Sequence, residues 1–274
     1  MKGKFQVIAR ILVFLCLTGL VVFCGYRMVD AIVAEKRAAE SYADLADLVG
    51  GKVRENIVPE TVDTTEEEEE EGPIEVFYPD LQLDMEALKE MNGDFRGWLY
   101  FPVLDISYPI VQGEDNSYYL KHAFDGEKLY AGCIFVDYGA SGDWSDRNTF
   151  VFGHNMRDGS MFGSFRKLVD DTTLCEEQPY FYIYTEDWVY TYQIFSYYKT
   201  KSSSDRYMTF ESDETYDSYT EWALDNSLFT SRADLSERPN IVSLSTCYGS
   251  AGTSRRVLIH GAMMAKEPYL QAEQ

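Results

Sequence analysis

Apolar positions in this chain follow three rhythms in turn. From Ile11 to Tyr26 they run nearly unbroken, with Thr18 and Gly19 in the middle, and Phe5 to Ile8 and Val29 to Val33 extend the stretch on both sides. A run of that length spans a bilayer as a helix. Lys2, Lys4 and Arg10 precede its core, which predicts a cytoplasmic N-terminus. No A-x-A site follows, and bulky Phe23 stands before Cys24 where a lipoprotein site needs a small residue. A retained anchor is therefore expected in place of a cleaved leader.

The second rhythm is helical. Ala31 to Val49, rich in Ala, Glu and Leu, reads as a helix stopped by Gly50-Gly51. Met85, Leu88 and Met91 repeat at helical spacing between an N-cap candidate, Asp84, and the Asn92-Gly93 stop. Pro59 to Pro73 between them carries a glutamate run whose self-repulsion favours an extended linker.

From Gly97 the rhythm shortens to strands: Trp98 to Phe101, Ile106 to Val111, Cys133 to Val136, Thr149 to Phe152, Tyr180 to Tyr184, Trp188 to Tyr198, Ile241 to Thr246 and Arg256 to Ala262. Eight strands with turns between them predict a barrel or a sandwich. Ser212 to Leu228, with an acidic first turn and Tyr216, Tyr219, Ala223 and Leu228 at near-helical spacing, is a helix inserted between the sixth and seventh. Asp158-Gly159 makes a turn and Ser160 to Leu168 a short helix. The chain thus divides into an N-terminus and anchor (1–34), a helix beyond it (35–58), an acidic linker (59–79) and a folded domain (80–274).

Composition narrows the function. A formal charge of −22 opposes binding to nucleic acid, although eight of the acidic groups, Glu60, Asp63 and Glu66 through Glu71, belong to the linker. Of five cysteines, Cys16 and Cys24 lie in the apolar segment, and Cys133, Cys175 and Cys247 match no zinc spacing and no disulfide framework. No metal-binding or phosphate-binding motif occurs, so no metal or organic cofactor is expected.

Candidate chemistry gathers at Ser243-Leu244-Ser245-Thr246-Cys247. Period two puts Val242, Leu244 and Thr246 on one face and Ser243, Ser245 and Cys247 on the other, with the cysteine at the strand end. After a Gly/Ser loop the next strand opens with Arg255-Arg256, which sets a guanidinium beside the thiol. A nearby cation favours the thiolate and stabilises an oxyanion formed when it attacks a carbonyl. Of three histidines, only His154, in Phe152-Gly153-His154-Asn155, sits where a strand breaks into a glycine-flanked turn. His122 reads as a surface or packing residue, and His260 as structural although it shares strand parity with Arg256.

These residues resemble the class B sortases. Ser243-Leu244-Ser245-Thr246-Cys247 is similar to the family's T-L-x-T-C signature with serine in first place, and Phe152 to Phe162 looks like the segment around its histidine. Asn92 to Leu99, Tyr108 to Gln112 and Asp115 to Leu120 add to the likeness, which covers Asp84 to Met264. The resemblance implies an eight-stranded sortase-type β-barrel, mainly β, with N-terminal helices and a long helix between strands six and seven. It also implies a single-pass membrane protein whose catalytic domain lies outside the cell. It implies a cysteine transpeptidase in which Cys247 attacks a threonine carbonyl of a C-terminal sorting signal, forms a thioacyl enzyme and passes the protein to a peptidoglycan-precursor amine. His154 would be the general acid and base, and Arg256 the oxyanion stabiliser with Arg255 as runner-up, because only one of two adjacent strand residues faces Cys247. Thr246 and Ser245 would contact substrate. The partners implied are secreted proteins bearing the signal, the precursor amine and the membrane. Competing readings are a pilin-polymerising sortase, a plain cysteine protease and a non-catalytic surface β-domain.

Overall fold

The computed structural model describes residues 2–46, 49–50, 78–249 and 252–270. The chain opens with one continuous helix, α1 (Lys2–Ala46), so the helix expected over Ala31 to Val49 and the apolar run are a single element. Gly19 and Gly25 do not interrupt it, because a glycine costs about 1 kcal/mol while leaving the hydrogen-bond ladder intact. Arg10–Val29 has a mean hydropathy of 2.1 and is wholly exposed, long and apolar enough to cross a membrane. The far end of α1 touches the folded domain: the Tyr42 hydroxyl donates to the Gly132 carbonyl at 2.6 Å, the Tyr42 ring meets Tyr108 edge-on, and Leu45 is buried.

Val49, expected as the last residue of that helix, and Gly50, expected as its stop, form a strand instead, β1 (Val49–Gly50), which pairs antiparallel with β2 (Gln82–Leu83). Most of the expected acidic linker lies outside the described residues. Helix α2 (Met85–Met91) begins where expected, with the Asp84 carboxylate accepting from the Ala87 N–H at 2.9 Å, and buries Met85 and Leu88 against the barrel.

The barrel strands are β3 (Phe95–Phe101), β4 (Ile106–Val111), β5 (Ile134–Val136), β6 (Asn148–Phe152), β7 (Tyr180–Tyr184), β8 (Trp188–Lys201), β9 (Ile241–Cys247) and β10 (Arg255–Pro268). They close in the order β10-β8-β7-β3-β4-β5-β6-β9, with β9 returning to β10. All pairs are antiparallel except β4 with β5 and β6 with β9. Closure removes every sheet edge, which a sandwich would have left. Inside, alternate positions such as Leu99, Val151, Ile183, Leu244, Val257 and Ile259 build the central core.

Between β6 and β8 lie α3 (Phe165–Asp170) and α4 (Leu174–Glu177). Helix α3 starts five residues later than the pattern suggests. The Asp158 carboxylate captures both the N–H and the hydroxyl of Ser160, a local turn that competes with helix. Helix α5 (Asp213–Asp225) fills the expected place between β8 and β9, the sixth and seventh barrel strands. The Ser212 hydroxyl caps it by accepting from the Thr215 N–H, and Asp213 and Glu214 favour the positive end of its dipole. Its buried stripe, Tyr216, Tyr219, Thr220 and Ala223, lies on the outer face of the barrel over Phe195, Tyr198 and Leu258.

Candidate active site

Strand β9 runs between β6 and β10, and its last residue is Cys247. Val242 and Leu244 enter the barrel core, so by alternation Ser243, Ser245 and Cys247 face outward. The thiol sits half-buried at the end of that outer row.

On one side the partner strand is parallel. Asn148 opposes Ile241 and Phe152 opposes Ser245, a constant offset of 93 residues. The ladder continues past the strand end: the Gly153 N–H donates to the Ser245 carbonyl at 3.2 Å, and the Thr246 hydroxyl donates to the Gly153 carbonyl at 2.7 Å. The same offset carried one step past Gly153 matches His154 to Cys247, at the common end of the two strands. Glycine is required at 153 because a Cβ there would stand 2.7 Å from the ring of Phe162, which is fully buried and whose N–H holds the His154 carbonyl at 2.9 Å. The His154 ring stacks on Tyr130, 5.9 Å between centroids, and its Nε2 lies 2.8 Å from the Leu120 carbonyl. A carbonyl only accepts, so Nε2 carries the hydrogen and Nδ1 is the nitrogen left to take or give a proton.

On the other side the partner is antiparallel, and Arg256 is directly opposite Cys247. Residues directly opposed in a sheet share a face, so the guanidinium and the thiol lie on the same side of the barrel. Arg256 is steadied by donating from Nη1 to the carbonyls of Thr253 at 2.8 Å and Arg255 at 2.9 Å. Arg255 alternates to the other face, opposes Lys201 and lays its guanidinium 5.7 Å over the Tyr248 ring. Sequence and structure thus bring His154, Cys247 and Arg256 to one end of three adjacent strands and leave Arg255 out.

Thr246 and Ser245 divide in the same way. The Thr246 hydroxyl is spent on Gly153, whereas Ser245 lies on the Cys247 face and shares a 2.8 Å hydrogen bond with the Tyr207 hydroxyl. Tyr207 is the residue that sequence reasoning missed. It comes from the loop between β8 and α5, stacks on Phe150 and Phe152, and roofs the row that ends at Cys247. Burial raises its hydroxyl above the usual phenol range; the Ser245 hydrogen bond and the charge of Arg256 pull it back, and a charge on Cys247 pushes it up again. Its aromatic flanks on β6 are the one signal in the sequence that pointed there. Phe150 and Tyr207 also wall a cavity of about 620 Å3 whose rim includes Asp137, Asp146 and Glu211.

The remaining candidates stand apart from the end of β9. Cys133 and Cys175 are buried, and burial pushes both thiols up to about 12. His122 stacks on Tyr118 at the surface, and His260 is fully buried. Iodoacetamide at pH 8 is therefore expected to alkylate Cys247 in the native barrel and spare Cys133 and Cys175, as read by peptide mass mapping. Equal labelling of all three would refute the burial on which this rests.

A half-buried thiol flanked by an imidazole and a guanidinium supplies the nucleophile, proton carrier and anion stabiliser of acyl transfer. Comparison with known proteins points the same way. Residues 99–264 match the sortase domain family. The chain is similar to sortase B of Listeria monocytogenes, 36% identical over 188 residues, covering 67% of this chain and 75% of that one. Its fold is similar to that of Clostridium perfringens sortase B, with a TM-score of 0.61 and 32% identity over 66% of this chain and 99% of the other. A Staphylococcus aureus sortase B-substrate complex matches with a TM-score of 0.61 and 26% identity, over 66% of this chain and 84% of that one.

Proposed function

Since the chain belongs to the sortase family, within its class B, and is a cysteine transpeptidase, we propose that it cleaves a C-terminal sorting signal after threonine and transfers the protein to a peptidoglycan-precursor amine. In the first half-reaction the Cys247 sulfur bonds to the threonine carbonyl carbon, and the electron pair moves onto the oxygen beside Arg256. The carbon–nitrogen bond then breaks, and the leaving nitrogen takes its proton from His154. In the second half-reaction the incoming amine attacks the thioester, gives a proton to His154 and expels the Cys247 thiolate. Ser245 and Tyr207 hold the signal peptide along the outer row that leads to Cys247.

The observation that carries this reading is the register, in which Cys247 has Arg256 directly opposite on one strand and, by extension of a constant offset, His154 beside it on the other. The apolar helix supports a membrane anchor within residues 1–34, with the N-terminus in the cytoplasm and the catalytic domain, residues 80–274, on the outer side.

Incubating the full-length chain in detergent with a library of sorting-signal peptides and hydroxylamine tests the proposal. The expected products are the released tail and a hydroxamate on the threonine carboxyl, with turnover rising as hydroxylamine rises. Cleavage at another residue, or a water adduct alone at every amine concentration, refutes it.

A further inference from the structure

Across the outer row of β9, at Ser243, runs a line of buried polar side chains that the reaction above does not use. His260 on β10 is directly opposite Ser243 on β9, four residues before Cys247. His260 and Ser243 are wholly buried, and Asn148 and Tyr198 nearly so, at 1% and 2% exposure. They form one chain of hydrogen bonds across four strands: Tyr198 hydroxyl to His260 Nε2 at 3.0 Å, His260 Nδ1 to Ser243 Oγ at 2.7 Å, Ser243 Oγ to Asn148 Oδ1 at 2.7 Å, and Asn148 Nδ2 to the Met208 carbonyl at 2.9 Å.

The last acceptor fixes every proton before it. A carbonyl cannot donate, so the Asn148 amide nitrogen must face Met208 and its oxygen must face Ser243. The Ser243 hydroxyl then donates to that oxygen and accepts from His260, which holds its hydrogen on Nδ1. Nε2 is left as the acceptor for Tyr198. Burial depresses the imidazole to about 3, so the neutral form this order needs is the form present throughout the neutral range. Each link has its donor and acceptor set by the one before it, which makes the chain directional and costly to interrupt.

Its end point is the loop that roofs Cys247. Three consecutive residues of that loop are pinned: the Arg206 carbonyl accepts from the Tyr219 hydroxyl at 3.0 Å, Tyr207 bonds Ser245, and the Met208 carbonyl accepts from Asn148. The Tyr219 ring packs edge-on against His260, so two of the three pins lead back to the same imidazole.

We propose that His260 is a positioning residue for substrate recognition, which acts through Ser243 and Asn148 to fix Met208 and so hold Tyr207 over the Cys247 row. The inference rests on the catalytic reading of Cys247 and goes beyond it, because His260 touches neither substrate nor reacting atoms.

The test uses the full-length chain in detergent with the variants His260→Leu, His260→Asn, Asn148→Leu and the double variant His260→Leu/Asn148→Leu. Steady-state kinetics and hydrogen exchange of residues 205–209 are measured together. His260→Leu is expected to raise KM roughly tenfold, the worth of one buried hydrogen bond, with kcat within about twofold and faster exchange in the loop. His260→Asn keeps a donor where Nδ1 stood and should recover most of the KM. Asn148→Leu should reproduce the shift, and the double variant should be no worse than either single one, because both cut the same chain. An unchanged KM with unchanged exchange in His260→Leu overturns the inference, as do additive effects in the double variant. If His260→Leu does not fold, Asn148→Leu decides by the same two readouts. If the wild type cleaves no peptide, or Cys247→Ala cleaves as well as wild type, the catalytic reading fails instead. Loop exchange then still decides the positioning.

Discussion

Cys247→Ala is expected to abolish thioacyl formation, a loss on the order of 10,000-fold or more in turnover, while leaving the barrel folded. The substitution removes one sulfur from a half-buried strand end and touches neither the β6–β9 nor the β9–β10 ladder. Activity and stability should therefore separate cleanly. Intact-mass analysis after incubation with a sorting-signal peptide reads the outcome: an acyl adduct on the wild type, none on the variant, and matching urea unfolding curves. Cys247→Ser, which keeps the shape, should recover little, because a hydroxyl is a far weaker nucleophile toward a carbonyl than a thiol. Undiminished cleavage by the alanine variant would remove the nucleophile from its assigned role.

Arg256→Ala is expected to lower kcat/KM by about 100- to 1,000-fold, the range seen when one donor to a developing oxyanion is lost. Arg255→Ala should stay within about threefold, since an exposed charge contributes little. The contrast follows from alternation along β10: Arg256 opposes Cys247, and Arg255 faces Tyr248 over the barrel mouth. Arg256→Lys is a sharper version, because an ammonium keeps the charge and loses the planar fork, and it should recover only part of the activity. Steady-state kinetics on the four proteins decides the assignment. A collapse in Arg255→Ala with Arg256→Ala spared would reverse the two arginines.

Much of this molecule was legible before any coordinates, for a physical reason in each case. Period two along Ile241 to Cys247 separated the apolar row from the serine row and put the thiol in the second of them, while the choice of Arg256 over Arg255 came from the family resemblance, as the arginine that immediately precedes the apolar strand. Helix α5 announced itself through its cap and its tyrosine stripe. Closure was legible only through the family resemblance, since the parallel pairings of β4 with β5 and β6 with β9 join distant segments that no local pattern connects. Tyr207 escaped for the opposite reason. It lies in a Ser/Asp-rich loop with no periodicity, and its position comes from Phe150, Phe152 and Ser245, all supplied by other strands. The alternation did not say that Thr246 would be consumed by the Gly153 carbonyl, because that bond needs β6 to arrive first.

The β6–β9 seam also governs when the enzyme becomes reactive. Partners on the two strands are 93 residues apart in the chain, with two strands and three helices threaded between them, so the loop to be closed is long and its entropy must be overcome before any contact across the seam repays it. The short β9–β10 hairpin brings Arg256 opposite Cys247 by itself, whereas the end of β6 that carries His154 reaches the thiol only when β9 slots in beside it. On the roles proposed above, a chain whose β6–β9 seam is still open holds the nucleophile and its cation without the proton carrier, so acyl transfer waits for that closure.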